Sequence, residues 1–407
     1  MKPRTLLIIG AGIEQVRAYE LAREMGLRTV GSDRDRSAPA FALADDQIIA
    51  STRDVEATVR AAKAFHRRVR IDGVMTLAND VPLTVATVAA ELGLPGISIT
   101  SATLASDKLA MKQKLAADTI PVPPFQTICS ARDLDTLAAE WGYPLVIKPN
   151  DGRGARGVLR INRETDTEWA YRHALENSEQ GVVICEKFIS GRQLSTESMV
   201  YQKRCYTACI SSRNYELLER CAPYIIENGG VIPADLHPEE WNATEEIVAR
   251  AAESLGIENG TVKGDIVLSE RGPVAIEMAA RLSGGYLCTD QIPLARGVDL
   301  VKQTIKLALG DELNPPDLIA GDLCKIGIRY FFPEPGRVVD IRGFDELDGY
   351  PWISKKMLLV EKGDVVEAPT NHTKRVGLVH TTGRTFQEAE QRAISAANQV
   401  KIVTVPC

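Results

Sequence analysis

Lys148 ends the apolar run Leu145-Val146-Ile147 and is followed at once by Pro149-Asn150-Asp151-Gly152-Arg153-Gly154-Ala155-Arg156-Gly157-Val158. Glycines at 152, 154 and 157 allow main-chain N–H groups to fold over an anion, and the guanidiniums of Arg153 and Arg156 add positive charge. A strand presenting an ammonium and a loop closing over phosphates would suit a triphosphate. The spacing is not that of the G-x-x-x-x-G-K-[ST] loop, and an exposed basic turn is the competing reading. Lys108, in Ser106-Asp107-Lys108, opens a helical segment upstream and acquires meaning only in such company.

A second apolar run, Val182-Val183-Ile184-Cys185-Glu186-Lys187-Phe188-Ile189, is broken by charge near its end. Adenine needs apolar faces, an acceptor for its amino group and a main-chain donor for a ring nitrogen, which such a hinge can supply. A strand edge with exposed charges is the plainer alternative. Residues 264–268 and 274–281 read as a hairpin turning through 269–273, which sets Asp265 beside Glu277. Neighbouring carboxylates repel unless a cation lies between them, and Mg²⁺ takes oxygen ligands while retaining waters and phosphate oxygens. Pairing with Arg281 is the alternative.

The elements that must position these residues follow from hydrophobic periodicity. Leu6-Leu7-Ile8-Ile9 before Gly10-Ala11-Gly12 predicts strand, turn and helix; strands at 29–33, 48–49 and 73–76 alternate with helices at 14–25, 54–68 and 81–93. That alternation implies a parallel, doubly wound sheet. Gly10-Ala11-Gly12 also invites a dinucleotide-binding reading, but Gln15 stands where the third glycine belongs. The prolines of Ile120-Pro121-Val122-Pro123-Pro124 mark a transition between units. Two α+β units are expected beyond it, the second ending in a helix from Asp299 to Leu309 stopped by Gly310, followed by a β-rich portion with one helix near 386–397. The expected domains are 1–103, 104–190, 191–330 and 331–407, in line with roughly 150 residues per domain.

Hydrophobic residues at 44% and charged residues at 25% exclude disordered and coiled-coil classes. A net charge of −6 leaves no basic stripe for a nucleic-acid backbone. An amino-terminal apolar run of only four residues predicts neither signal peptide nor membrane span, so a cytoplasmic chain with small-molecule partners is expected. The cysteines lack paired CxxC spacing and read as reduced structural thiols. Cys288 and the histidines read as bystanders, with His237 the candidate exception.

With Lys108, Lys148, the glycine loop, Glu186, Asp265, Glu277 and Arg281 in this order, and with Gly229-Gly230-Val231-Ile232-Pro233-Ala234 and the EMAARLSGG of residues 277–285, the chain resembles the ATP-grasp superfamily. The resemblance implies an α/β ATP-grasp fold: an N-terminal Rossmann-like domain, two α+β subdomains clasping ATP and a small β-rich C-terminal portion. It implies that Lys108, Lys148 and the loop Gly152, Arg153, Gly154, Ala155, Arg156 and Gly157 hold the ATP phosphates. Glu186, Lys187, Phe188 and Ile189 would hold adenine, and Gln193 the ribose where many members carry glutamate. Asp265 and Glu277 would bind Mg²⁺, or Mn²⁺, with Ala279 standing where the family often has asparagine. Lys148 and Arg281 would be catalytic, assisting phosphoryl transfer to a carboxylate and attack by an amine. Gly191-Arg192-Gln193-Leu194-Ser195-Thr196-Glu197-Ser198 looks most like the L-amino-acid ligases; purine-biosynthetic, carboxylating and carbamoyl-phosphate-forming members are similar too. A non-catalytic nucleotide-binding protein is the reading from another class. A homodimer is the expected assembly for an enzyme of this size.

Overall fold

The computed structural model of the chain describes residues 3–407. Its amino-terminal unit is a parallel sheet in the order β3-β2-β1-β4, formed by β1 (Thr5–Ile9), β2 (Arg28–Asp33), β3 (Asp46–Ile49) and β4 (Gly73–Met75). The run Leu6–Ile9 is continuous in apolar residues because both of its faces are covered. Leu6 and Ile8 enter one core with α1 (Val16–Glu24), whereas Leu7 and Ile9 enter another with α2 (Val55–His66) and α3 (Pro82–Leu92). Asp54 caps α2 by accepting from Ala57 N, and Gly93, at φ +65°, ends α3 in the left-handed region that glycine adopts without penalty.

Helices α4 (Ile99–Ser106) and α5 (Lys108–Ala117) lead to an antiparallel sheet ordered β5-β8-β6-β7. Its strands are β5 (Phe125–Ile128), β6 (Leu145–Pro149), β7 (Leu159–Ile161) and β8 (Val183–Lys187), backed by α6 (Ala131–Trp141) and α7 (Thr167–Glu176).

The largest sheet runs β13-β12-β9-β10-β11-β14-β18-β16. It comprises β9 (Arg192–Tyr201), β10 (Arg204–Arg213), β11 (Gly230–Ile232), β12 (Gly260–Ser269), β13 (Gly272–Ala279), β14 (Lys325–Tyr330), β16 (Ile353–Leu358) and β18 (Gly377–Gly383). Around it lie α8 (Pro238–Ser254), α9 (Ile292–Arg296), α10 (Leu300–Ala308) and α11 (Phe386–Gln399). Asp299 caps α10, and Gly310, at φ +74°, follows its end. Strands from beyond residue 330 thus extend the same sheet as strands before it: β18 pairs with β14 over six register positions. Only β15 (Gly336–Arg342), β17 (Val365–Val366) and β19 (Lys401–Val405) form a sheet of their own. No helix among the described residues is long and apolar enough to cross a membrane.

Candidate active site

Side-chain alternation gives the large sheet one polar face. Gln193, Ser195 and Glu197 of β9 share it with Ser211 and Arg213 of β10, Lys263 and Asp265 of β12 and Glu277 of β13. Leu194, Ile210, Val262, Ile266 and Met278 point the other way, into the core beneath α8. The polar face forms one wall of a cleft of about 660 Å³ whose other walls come from the glycine loop, the end of β8, the amino-terminal unit and the segment around His372 and Arg375.

Asp265 and Glu277 are directly opposed in the β12–β13 register. Asp265 Oδ1 lies 2.5 Å from Lys263 Nζ and 2.9 Å from Arg213 Nη1. Burial alone would raise its pKa, but these cations hold the carboxyl well below the usual carboxylate range. Glu277 Oε1 lies 3.3 Å from Lys108 Nζ. Among the described residues no group of three or more His, Cys, Asp or Glu side chains is arranged for a metal. Two opposed carboxylates do, however, match the way Mg²⁺ is held, through one or two carboxylates with phosphate oxygens and waters completing its shell.

Lys148 and Glu186 lie on the cleft face of β6 and β8, because Leu145, Ile147 and Cys185 occupy the opposite, core-facing positions. Glu186 is buried, and its Oε1 lies 2.6 Å from Lys148 Nζ and 3.1 Å from Lys112 Nζ. Burial pushes against its ionisation, yet the two ammoniums prevail and its pKa is lowered. The carboxylate therefore holds two lysines, and Lys187, Phe188 and Ile189 border the cleft beside it. The Lys187 side chain turns away, donating to the carbonyls of Trp141 and Gly142 at 2.5 and 2.8 Å. Lys108 Nζ donates to Gly152 O at 2.8 Å, so the first residue of α5 touches both the glycine loop and Glu277.

Arg281 continues the polar face beyond β13 and pairs with Asp80 of the amino-terminal unit. Burial opposes its charge, but Asp80 raises its pKa above the usual arginine value. Arg375 pairs with Glu227, and its guanidinium lies 3.7 Å from the centre of the Tyr330 ring. His372 donates its backbone N–H to Gly154 O at 3.0 Å, joining the C-terminal portion to the glycine loop. Burial, reinforced by the Arg375 charge, pushes the His372 imidazole down to about 3.

Of the residues singled out from sequence, Lys108, Lys148, Gly152, Arg153, Gly154, Ala155, Glu186, Lys187, Phe188, Ile189, Gln193, Asp265, Glu277 and Arg281 all border this cleft. Arg156 and Gly157 do not. Arg156 is exposed, with Nε donating to Arg153 O, and Gly157 packs beneath the loop against Pro149 and Asn177. His237 precedes α8, its N–H donating to Glu240 at 2.8 Å; the histidine at the cleft is His372. Sequence reasoning passed over Lys112, Glu197, Arg213, Lys263, Glu227, Arg375 and Glu14. Lys112 had a signal: four residues after Lys108, it falls on the same helix face. Glu197, fully buried, accepts hydrogen bonds from Ser283 and, at 3.1 Å, from the Cys288 thiol. Its burial raises its pKa.

Three family models match in succession: an ATP-grasp N-terminal domain over residues 19–96, an ATP-grasp domain over 105–285 and an L-amino acid ligase C-terminal domain 2 over 329–405. The chain superimposes on the crystal structure of L-amino acid ligase from Bacillus licheniformis with a TM-score of 0.85, covering 100% of both chains at 21% identity. It is 27% identical over 355 residues to an uncharacterised protein of Sinorhizobium fredii, covering 85% of this chain and 71% of that protein. Against a D-alanine–D-alanine ligase of Pseudomonas entomophila it is 28% identical over 222 residues, 54% of this chain and 68% of that one. The domain succession, the cleft it encloses and these likenesses converge: the chain belongs to the ATP-grasp superfamily as an ADP-forming carbon–nitrogen ligase and carries the C-terminal domain of an L-amino acid ligase.

Proposed function

We propose that this ligase forms an amide or peptide bond by activating the carboxylate of an amino acid as an acyl phosphate, with release of ADP and phosphate. The supporting observation is the placing of the opposed pair Asp265 and Glu277 within one cleft with Lys108, Lys148, Arg281 and the glycine loop. A carboxylate is resonance-stabilised and lacks a leaving group, so the amine cannot displace it directly; phosphorylation supplies one.

In this reading Lys108, Lys148 and the main chain of residues 152–155 hold the triphosphate. Phe188, Ile189 and Val146 enclose adenine, the main chain at Lys187 and Ile189 meets its polar edge, and Gln193 reaches the ribose. Asp265 and Glu277 would hold Mg²⁺, which when bound neutralises the phosphate oxygens; Mn²⁺ suits the same oxygen donors. Lys148 and Arg281 offset the charge that builds up as the substrate oxygen bonds to the γ-phosphorus and the bond to ADP breaks. Arg281, fixed by Asp80, then steadies the acyl phosphate while the neutral amine nitrogen bonds to the acyl carbon, the carbon–oxygen bond to phosphate breaks, and the departing phosphate takes up the proton the nitrogen loses. The loop 151–158 keeps water from the activated carbonyl.

The test is release of ADP and phosphate from Mg·ATP with pooled amino acids, with bicarbonate plus amines as a parallel pool and Glu277→Ala as control. Release with amino acids, lost in the control, is expected. Release confined to the bicarbonate pool would move the assignment to a carboxylating or carbamoyl-phosphate-type reaction, and ATP binding without turnover in every pool would overturn the enzymatic reading.

A further inference from the structure

We infer that Glu14 receives the ammonium group of the amine substrate, an inference that rests on the ligase reading above. Six carboxylates border the cleft. Five have a cation: Asp80 has Arg281, Glu186 has Lys148, Glu227 has Arg375, Asp265 has Lys263 and Glu277 has Lys108. Glu14 has none within ion-pair distance among the described residues. The ammonium of Lys355, which lies 4.1 Å from the centre of the neighbouring Tyr286 ring, is taken by Asp290 at 2.7 Å. A charged side chain left without a countercharge where a substrate must enter is a site for a charge of the opposite sign.

Glu14 is also held in place. The short helix Ile13–Gln15 follows the glycine turn after β1 and carries the carboxylate across to the segment after Arg281, where Oε1 accepts from Gly285 N at 2.5 Å. A Cβ on Gly284 would lie 2.5 Å from Oε2, so a glycine at that position is what admits the carboxylate. Tyr330 closes the same corner, its hydroxyl 3.1 Å from where a Cβ on Gly285 would stand. One oxygen of Glu14 is thus committed to the main chain that follows the acyl-phosphate arginine. The other accepts no hydrogen bond among the described residues and is available to an N–H donor in the cleft that Glu14 and Arg281 both border. The chemistry selected is a primary amine arriving as its ammonium ion, the form that three N–H donors and a positive charge suit to a lone carboxylate; its extra proton passes to a phosphate oxygen before the freed nitrogen lone pair attacks the acyl carbon.

The experiment compares two nucleophiles in the full chain with Mg·ATP and the active carboxylate pool: an amino-acid amine, cationic at neutral pH, and hydroxylamine, uncharged there and trapping the acyl phosphate as a hydroxamate. Glu14→Gln keeps an acceptor for Gly285 N and removes the charge. Its KM for the amine is expected to rise on the order of tenfold or more, with the KM for hydroxylamine moving less than about twofold. Glu14→Asp should recover part of the amine affinity, and ADP binding by each variant verifies that it folds. Equal losses for both nucleophiles, or an unchanged amine KM, would overturn the assignment. Absence of hydroxamate from the unaltered chain with every carboxylate would instead overturn the ligase reading, and this inference with it.

Discussion

Asp265 and Glu277 are register partners across one hairpin, yet each carboxylate is neutralised by cations of its own, Lys263 and Arg213 on one side and Lys108 on the other. A divalent ion entering between them would compete with those partners. Glu277 contacts one ammonium at 3.3 Å and is the looser of the two. Asp265→Asn and Glu277→Gln are both expected to lower ATP turnover by about 10² or more, the scale of losing one electrostatic contact in the transition state. The Asp265 variant should in addition lose stability, because Arg213 and Lys263 keep their charge without it. Steady-state ADP release and urea unfolding on the two variants separate these effects; equal stabilities would contradict the asymmetry.

Ala279 stands opposite Lys263, two residues along β13 from Glu277, and is nearly buried beside a small void lined by Asp80, Lys108 and Glu277. Asparagine there would supply an oxygen that the metal must otherwise draw from water. Ala279→Asn is expected to lower the Mg²⁺ concentration giving half-maximal ADP release by several-fold. An unchanged or raised requirement would show that this chain holds its metal without a third protein ligand.

Lys112 lies at 0% exposure and joins the four-stranded sheet of β5 to β8 to the large sheet, reaching Glu186 at 3.1 Å and donating to Ile276 O at 2.8 Å. Burial lowers its pKa to about 8, with Glu186 limiting the fall. Lys112→Met leaves Glu186 with Lys148 alone and is expected to cost on the order of 3–5 kcal/mol in urea unfolding, the range for breaking a buried pair. Adding Glu186→Gln should recover part of that loss. A single-variant cost below about 1 kcal/mol would mean that water enters the site and screens the pair.

Much of this was legible in sequence wherever local pattern and chemistry coincide. The strands bearing Lys148 and Glu186 announce themselves as apolar runs broken by charge, and the hairpin that opposes Asp265 to Glu277 is encoded by two apolar runs around a polar turn. What escaped was tertiary. Glu14 meets Gly285 across 271 residues, and Arg375 meets Glu227 across 148. No local period can announce either encounter. The glycine loop was read as a uniform anion cradle, whereas its turn geometry sends Arg153 toward the cleft and Arg156 to solvent. The C-terminal portion expected over 331–407 shares the large sheet through the register of β14 with β18, a pairing that depends on long-range backbone contacts and so leaves no local mark in the sequence.

Two glycines should respond differently to alanine. Gly157, at φ +70°, would place a Cβ 2.6 Å from Asn177 Cβ and 2.7 Å from Pro149 Cγ, so Gly157→Ala must distort the base of the loop. A raised KM for ATP is expected with a smaller change in global stability. Gly230 is extended, but its Cβ would meet Ser212 O at 1.8 Å, within the β10–β11 pairing. Gly230→Ala should therefore cost stability first, by about 1–3 kcal/mol for overpacking. Nucleotide KM values alongside unfolding midpoints distinguish the two.

The pH dependence of stability should carry the mark of a buried histidine in β18. His380, at 1% exposure in β18, lies with Nε2 3.1 Å from Gln291 Nε2, and burial pushes its pKa down to about 4, with Lys355 adding to the fall and Asp290 opposing it. Between pH 4 and the unperturbed value near 6.5 the unfolded chain binds a proton at this position that the folded chain does not. Stability therefore rises with pH across that window: the contribution is fully present above 6.5 and is lost as pH falls toward 4. The difference is on the order of 3 kcal/mol for His380. His372, also depressed by burial, acts with the same sign. Urea unfolding at intervals between pH 4.5 and 7 should show this slope, reduced in His380→Gln; an unreduced slope would assign the acid sensitivity to other groups.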